Sequence, residues 1–434
     1  MNSSSKCRSE PIGDFSPNDL PFPISMATQL LKSLTLFITT TTKNQTQFQF
    51  QFRPKTTSAQ YVAARARDPT FEKFMDSYKN LLKVFFIQDL ILADPKNNAV
   101  SLPFLSDLSQ KLHLNRGAAA FLRKYPHIFR LSHDPKTTQI LCRLTPTALE
   151  IAHQESRAIN DNLPIVVDRL VRLLTMSVSK ALPFRAVFKV WREMGFPDDF
   201  EDSVIVKNSH LFRVFDNPQE PGTHFVKLVD KNGGFLSSCL SSSVEKWRVE
   251  ECCKEGVDLE EIRFSFRHGF PPGMRLSKVF KARVREWQKL PYVGPYDKVS
   301  LSEVKKRSDN GGLMGLEKRA VGIVHEFLSL SVEKMVEVEK ISHFRKWFGI
   351  EFNIRDLFLD HPGIFYLSTK GKRHTVFLRE AYERGCLVCP NPIYDARRKL
   401  LDLVRLERRG LVNSESKSRD VEGTELLVEN NASS

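Results

Sequence analysis

A chain of 434 residues, 41% of them hydrophobic, has material for two or three domains' worth of core and too much apolar character for wholesale disorder. Lys and Arg number 65 against 51 Asp and Glu, a formal charge of +14, and a chain this basic most often meets nucleic acid or another anionic surface. Seven cysteines are too sparse for a disulfide framework, and no apolar run reaches the roughly 18 residues a helix needs to cross a bilayer, so a disulfide-rich secreted domain, a collagen and a helical membrane span are excluded.

Residues 1–25 carry Glu10, Asp14 and Asp19 among four prolines and read as an unstructured lead. From Met26 to Arg67 there is no Asp or Glu, while Lys32, Lys43, Arg53, Lys55, Arg65 and Arg67 are basic and hydroxyl residues are dense, as in Thr39 to Thr42. That makeup, opening on a short apolar helix with Leu30, Leu31, Leu34 and Phe37, is the makeup of an organellar transit peptide. Translation from Met26 would put it at the start of the chain. Composition alone leaves mitochondrion and chloroplast open. Residues 1–66 are therefore expected to be a disordered lead and transit segment.

One short pattern then recurs three times: Lys124-Tyr-Pro-His-Ile-Phe-Arg-Leu131, Lys207-Asn-Ser-His-Leu-Phe-Arg-Val214 and Asp360-His-Pro-Gly-Ile-Phe-Tyr-Leu367. Each sets a branched aliphatic before a Phe and another aliphatic two residues on, an alternation that suits a strand with one buried face. Turn chemistry follows each copy (Asp134-Pro135, Asn217-Pro218 with Gly222, Lys370-Gly371), and then a second β-like run: Ile140–Leu144, His224–Val229 and His374–Leu378. Pro, Gly and Asn between two apolar runs set or permit hairpin dihedrals. Upstream of each copy, helix-like apolar spacing runs over 71–92, 165–174 and 321–330. A second helix with Phe188 and Trp191, or with Phe344 and Trp347, stops at Gly195 or Gly349. The recurring order of helix, helix, short helix, strand, turn, strand is that of a winged-helix module. The expected fold is a helix-rich α+β chain of tandem winged-helix-like modules at about 70–145, 160–230 and 315–385, joined by a basic bridge over 231–310 that includes a helix near 244–254.

The densest positive charge lies in the bridge. Over 263–289 stand Arg263, Arg267, Arg275, Lys278, Lys281, Arg283, Arg285 and Lys289 against Glu286 alone. This is a net +7, half of the chain's excess. A helix from Arg275 would put Leu276, Phe280, Val284 and Trp287 on one stripe and Arg275, Lys278, Arg285 and Lys289 opposite. Such a face grips phosphates, and few acids interleave it as they would a merely solvated face. The third hairpin tip, with Lys370, Lys372 and Arg373, is a second candidate for phosphate contact, and the helix near 397–409, with Arg397, Arg398, Lys399 and Arg405, a third. Phe264, Phe266 and Trp287 could stack on unpaired bases, although Trp287 fits a core position better.

Catalytic constellations are weak. Cys386 and Cys389 have the spacing of half a zinc site, but no second ligand pair lies at a usual distance. His127, His210 and His361 recur within the repeated motif, which points to packing or capping. No nucleophile elbow, Walker loop, dinucleotide-binding fingerprint or HExxH occurs. No enzyme activity, metal, cofactor, small-molecule substrate or membrane contact is expected.

The central run Ile262-Arg-Phe-Ser-Phe-Arg-His-Gly-Phe-Pro-Pro-Gly-Met-Arg-Leu-Ser-Lys-Val-Phe-Lys-Ala-Arg-Val-Arg-Glu-Trp-Gln-Lys-Leu-Pro-Tyr-Val-Gly-Pro-Tyr296 resembles the signature centre of the plant organelle RNA recognition (PORR) domain. So do Arg67-Asp-Pro-Thr-Phe71, Lys124-Tyr-Pro-His-Ile-Phe129 and Asp360-His-Pro-Gly-Ile-Phe-Tyr-Leu-Ser368, and the likeness spans about 67–405 with a tail from 406 expected to be disordered. It implies a nuclear-encoded organellar protein that binds group II intron RNA, promotes its splicing without catalysis, and works beside other splicing factors. The segment from Thr57 to Val62 looks more like mitochondrial members. The residues themselves leave two other readings open: an organellar protein-interaction scaffold, and a DNA-binding winged-helix regulator.

Overall fold

The computed structural model describes residues 67–406 apart from 95–97, 136–137, 217–221, 230–239, 256–265, 271–273, 298–312 and 372. The transit segment, the tail beyond 406, Phe264, and the two predicted contacts Arg263 and Lys372 lie outside the described residues.

Asp68 starts the first helix by accepting the Thr70 N–H at 2.9 Å, with Pro69 in the first turn where its missing N–H costs nothing. Helix α1 (Pro69–Leu92) buries Phe71, Phe74, Tyr78, Leu81 and Phe85 on one side. It is followed by β1 (Val100–Ser101), α2 (Leu102–Asp107), α3 (Ala118–Lys124), β2 (Phe129–His133) and β3 (Ile140–Leu144). Strands β2 and β3 pair antiparallel from Phe129↔Leu144 to His133↔Ile140, and β1 joins the far side of β3. Helix α4 (Pro146–Asp161), capped by Thr145 on the Ala148 N–H at 3.2 Å, leads to the second unit. That unit is α5 (Leu163–Met176), β4 (Ala181–Pro183), α6 (Phe184–Lys189), α7 (Trp191–Met194), a helical turn at Glu201–Val206, β5 (Phe212–Asp216) and β6 (His224–Leu228). The described bridge contains α8 (Ser243–Glu255) and α9 (Lys278–Lys289). The third unit is α10 (Leu313–Leu330), β7 (Met335–Glu337), α11 (Val338–Ser342), α12 (Ile354–Asp360), β8 (Phe365–Ser368) and β9 (Thr375–Leu378). A small hairpin of β10 (Tyr382–Glu383) and β11 (Cys386–Leu387) and the helix α13 (Pro392–Leu406) close the described chain. The architecture is helix-rich α+β with short antiparallel hairpins.

The three sheets share one strand order, β1-β3-β2, β4-β6-β5 and β7-β9-β8. Each therefore has a first strand of two or three residues that the sequence pattern did not disclose. The repeated aliphatic-Phe motif has the same task in every copy. The N–H groups of Phe129, Phe212 and Phe365 donate to the carbonyls of Tyr125, Asn208 and His361, each at 3.0 Å, and so close the turn leaving the helix. The carbonyls of Ile128, Leu211 and Ile364 accept from Thr145, Val229 and Arg379 at the end of the following strand. A backbone signature recurs as well. Asn98, Lys180 and Lys334 take positive φ just before the first strand, and fifteen residues later His113, Gly195 and Gly349 take it again. Gly195 caps α7, whereas His113 and Gly349 lie in the turns after α2 and α11, so Phe344 and Trp347 stand in a turn and not in the expected helix, which ends at Ser342.

The second and third units meet reciprocally. The Val178 N–H donates to the Trp347 carbonyl at 3.0 Å, and the Val332 N–H donates to the Glu193 carbonyl at 2.8 Å. Val178 and Val332 hold equivalent positions, as do Glu193 and Trp347, so the two bonds are one bond made twice about an approximate local two-fold axis. Lys189 and His343, again equivalent, lie with Nζ and Nε2 2.6 Å apart. The first unit is tied in differently: Phe71 of α1 stacks on Tyr366 at 4.9 Å and packs on Phe377 at 4.8 Å. Helix α1 thus roofs the third sheet, and all four residues of β9 are buried.

Candidate nucleic-acid interface

Helix α9 begins at Lys278, three residues later than the apolar spacing suggests, because Ser277 is extended and caps the Phe280 N–H at 3.2 Å. Its C-terminal end is held on the third unit. Trp287 is buried, stacked on Phe266 with ring centres 5.4 Å apart and packed on His361 at 4.4 Å. The Gln288 amide clamps Phe266 at both ends of its peptide, accepting its N–H at 3.2 Å and donating to its carbonyl at 2.9 Å. Gly269 in turn donates to the Gly363 carbonyl at 2.7 Å, and the close approach of His268 and Phe270 leaves no room for a Cβ on Gly363. Phe266 and Trp287 are core, as Trp287 was expected to be, and are not platforms for bases.

Lys318 completes the anchor. It is fully buried in α10 and donates to the carbonyls of Gln288, at 2.9 Å, and Leu290, two of the groups a helix end leaves without intrahelical partners. Its ammonium stands 5.4 Å from the Trp287 ring centre, and burial, with Arg248 adding repulsion, pushes its pKa down to about 7.

The rest of α9 faces solvent. Phe280, edge-on to Phe270 with ring centres 6.3 Å apart, and Val284 are half-buried, whereas Lys278, Lys281, Arg283, Arg285 and Lys289 are exposed, as are Arg275 and Arg267. None of Arg275, Lys278, Lys281, Arg283, Arg285 and Lys289 makes an ion pair with a carboxylate among the described residues. Even Val279 is 74% exposed on this face. The helix offers a fixed row of cations with little acid to neutralise it, which is what a chain of phosphates binds.

The other two predicted basic regions differ. At the third hairpin tip Lys370 bonds Asp76 at 2.5 Å, and Arg373 reaches both Glu337 and Glu339 at 3.1 Å. Their charge is largely spent inside the fold. Nor is α13 a free cationic helix: Arg397 is buried against Glu155 at 2.8 Å, Arg398 and Arg405 share Asp402, and Lys399 donates to Gln154. Cys386 and Cys389 are exposed free thiols, and no cluster of metal-ligating side chains occurs among the described residues. Sequence reasoning passed over two exposed cationic pairs, Arg130 opposite Arg143 on β2–β3 and Arg213 opposite Lys227 on β5–β6. They occupy equivalent places in the first two sheets, and like charges so placed oppose pairing unless an anion lies over them. Single cations on separate strands leave no run in the sequence; the shared register was the signal.

The plant organelle RNA recognition domain matches residues 66–409 of this chain. The protein ROOT PRIMORDIUM DEFECTIVE 1 of Arabidopsis thaliana is 38% identical over 351 residues, spanning 80% of this chain and 84% of that protein. The mitochondrial WHAT'S THIS FACTOR 9 of Arabidopsis thaliana is 33% identical over 78% of this chain and 84% of its own length, and the chloroplastic WHAT'S THIS FACTOR 1 of Zea mays 29% identical over 84% and 72%. No solved structure matches the chain significantly. With its central basic helix and repeated hairpin units inside the matched region, the chain belongs to the plant organelle RNA recognition domain family, whose work concerns the RNA of organelles.

Proposed function

We propose that the protein is a non-catalytic mitochondrial factor that binds group II intron RNA through the exposed face of α9 and promotes its splicing, beside other splicing proteins. The observation that carries this reading is the row of uncompensated cations from Arg275 to Lys289, held rigidly on the third unit by Trp287, Gln288 and Lys318. A structured RNA gains from such a surface by having its backbone repulsion offset where two of its segments must lie close. The helix–strand–helix–helix–strand–strand order of each unit supports a winged-helix-like reading of the modules. Membership in the family supports organelle RNA as the ligand. The relative named as mitochondrial and the acid-free segment from Met26 to Arg67 support the compartment.

Cross-linking in isolated mitochondria, followed by sequencing of the RNA that copurifies with the tagged full chain, tests it. Enrichment of one or a few group II introns, with unspliced precursor accumulating in a null mutant, is the expected result. Enrichment spread evenly over mature transcripts, or import of the tagged chain into chloroplasts alone, contradicts it.

A further inference from the structure

We propose that a cleft on the first unit, between α1 and the α2–α3 segment, is a second RNA contact that takes the phosphate backbone of an unpaired strand; this rests on the RNA-binding reading above. Two open cavities of about 640 and 680 Å³ meet along Asn80, Lys83 and Asn115 to form one trough. Cations stand on both walls: Lys79 and Lys83, one helical turn apart on α1, face Lys111, Arg116, Arg123 and Lys124. Glu337 is the one acidic residue in the lining among the described residues, and Arg373 already holds it at 3.1 Å. The Asp76 carboxylate nearby is shared between Lys79, at 3.2 Å, and Lys370, at 2.5 Å. Among the described residues Lys83, Lys111, Arg116 and Arg123 pair with no carboxylate, so the trough keeps a positive excess.

Lys83 shows what that excess does. Its ammonium donates to the His113 carbonyl at 2.8 Å, and its pKa is lowered by burial and then by repulsion from Lys79 and Lys124. An anion in the trough relieves that repulsion. A single small anion would want cations converging on one point, whereas these are spread along an open channel, as a backbone with repeating charge requires. Half-buried Phe86 and Phe121 offer ring surface to a base, and the Asn80 and Asn115 amides offer both donors and acceptors at the joint. Nothing in the amino-acid order marks this site, because its cations come from scattered positions between 79 and 124.

The test is the full-length chain carrying Arg116→Glu and Arg123→Glu, both exposed and free of packing duties, titrated with a short fluorescent oligouridylate by anisotropy from about 50 to 200 mM salt. The expected result is binding at least about tenfold weaker and a log–log salt slope shallower by about 1.4, at about 0.7 for each phosphate no longer neutralised. The neutral pair Arg116→Gln and Arg123→Gln, free of new repulsion, is expected to show the same change in slope with a smaller drop in affinity. Unchanged affinity and slope in these variants, while charge reversal on α9 weakens binding, overturns the cleft and keeps the RNA reading. Failure of the unmodified chain to bind the oligonucleotide overturns the RNA reading itself. Displacement by poly-aspartate as effective as by RNA assigns the trough to acidic peptide and overturns the proposal.

Discussion

Arg397 is 2% exposed, bonds Glu155 at 2.8 Å, donates to the Arg192 carbonyl at 2.8 Å and lies 3.6 Å from Glu333. Glu333 accepts in turn from the Tyr78 hydroxyl at 2.6 Å, and Arg192 bonds Asp89 at 2.5 Å, so the network ties α1, α4, α7 and α13 together. Burial pushes the Glu333 carboxyl up while Arg397 opposes it, and burial raises Asp89 to about 6. Removing one member leaves charge buried without its partner. Arg397→Leu is expected to cost about 3–5 kcal/mol in urea unfolding, and a loss below about 1 kcal/mol would show the network to be dispensable. The burial of Arg397 was legible in principle. It stands on the same helical face as Leu400, Leu401 and Val404, all buried, whereas a count of basic residues in the run ignores that register. His113 is a similar case: the first unit places a non-glycine residue where the other two use Gly195 and Gly349, and only comparing the three copies exposes that position as one with left-handed backbone.

At the scale of elements, α9 depends on Lys318. Lys318→Met, similar in length but without a donor, leaves the Gln288 and Leu290 carbonyls unsatisfied, for an expected loss of about 1–3 kcal/mol. The variant also changes the pH dependence. Between about pH 7 and 10 the unfolded chain keeps a proton on this lysine that the folded chain has released, so the lysine makes stability rise with pH in that window. The advantage of the unmodified protein over the variant should therefore grow from pH 7 to 9 in chemical unfolding, by up to about 1.4 kcal/mol per unit. A gap that stays constant would contradict the assigned cause. The stripe of Phe280, Val284 and Trp287 was readable because three apolar residues at helical spacing have one way to be buried. Hairpins were readable from alternation between turn residues. The strands β1, β4 and β7 were not, since two or three residues carry no alternation, and they exist because the central strand of each sheet needs a partner on its free edge. Helix α4 was missed although Thr145-Pro146 marks its start and Ala148, Ile151, Ala152 and Glu155 mark its buried face.

Over the whole molecule, the second and third units face one another through equivalent backbone bonds, while α1 reaches across to cover the third sheet. That covering explains why the third sheet has Tyr366 opposite Phe377 where the first two have exposed cationic pairs. The repeat was visible in the sequence through its Phe motifs; the reciprocal contact was not, because it uses main-chain atoms that almost any residue would supply. Charge follows the same division. Carboxylates of the fold, Asp76, Glu337 and Glu339 at the hairpin tip and Glu155 and Asp402 at α13, pair with the cations there, while the cations of α9 stay unpaired among the described residues. The account's central claim is that this face, held rigid, binds RNA. Its most direct measurement is the affinity of the full chain for a group II intron transcript across salt, before and after Arg275→Glu, Lys278→Glu and Arg285→Glu. The account predicts a steep salt dependence that becomes shallower by about 2 on the log–log slope, at about 0.7 for each phosphate released from a cation, with affinity at least tenfold weaker. Unchanged affinity with an unchanged slope in the triple variant would contradict it.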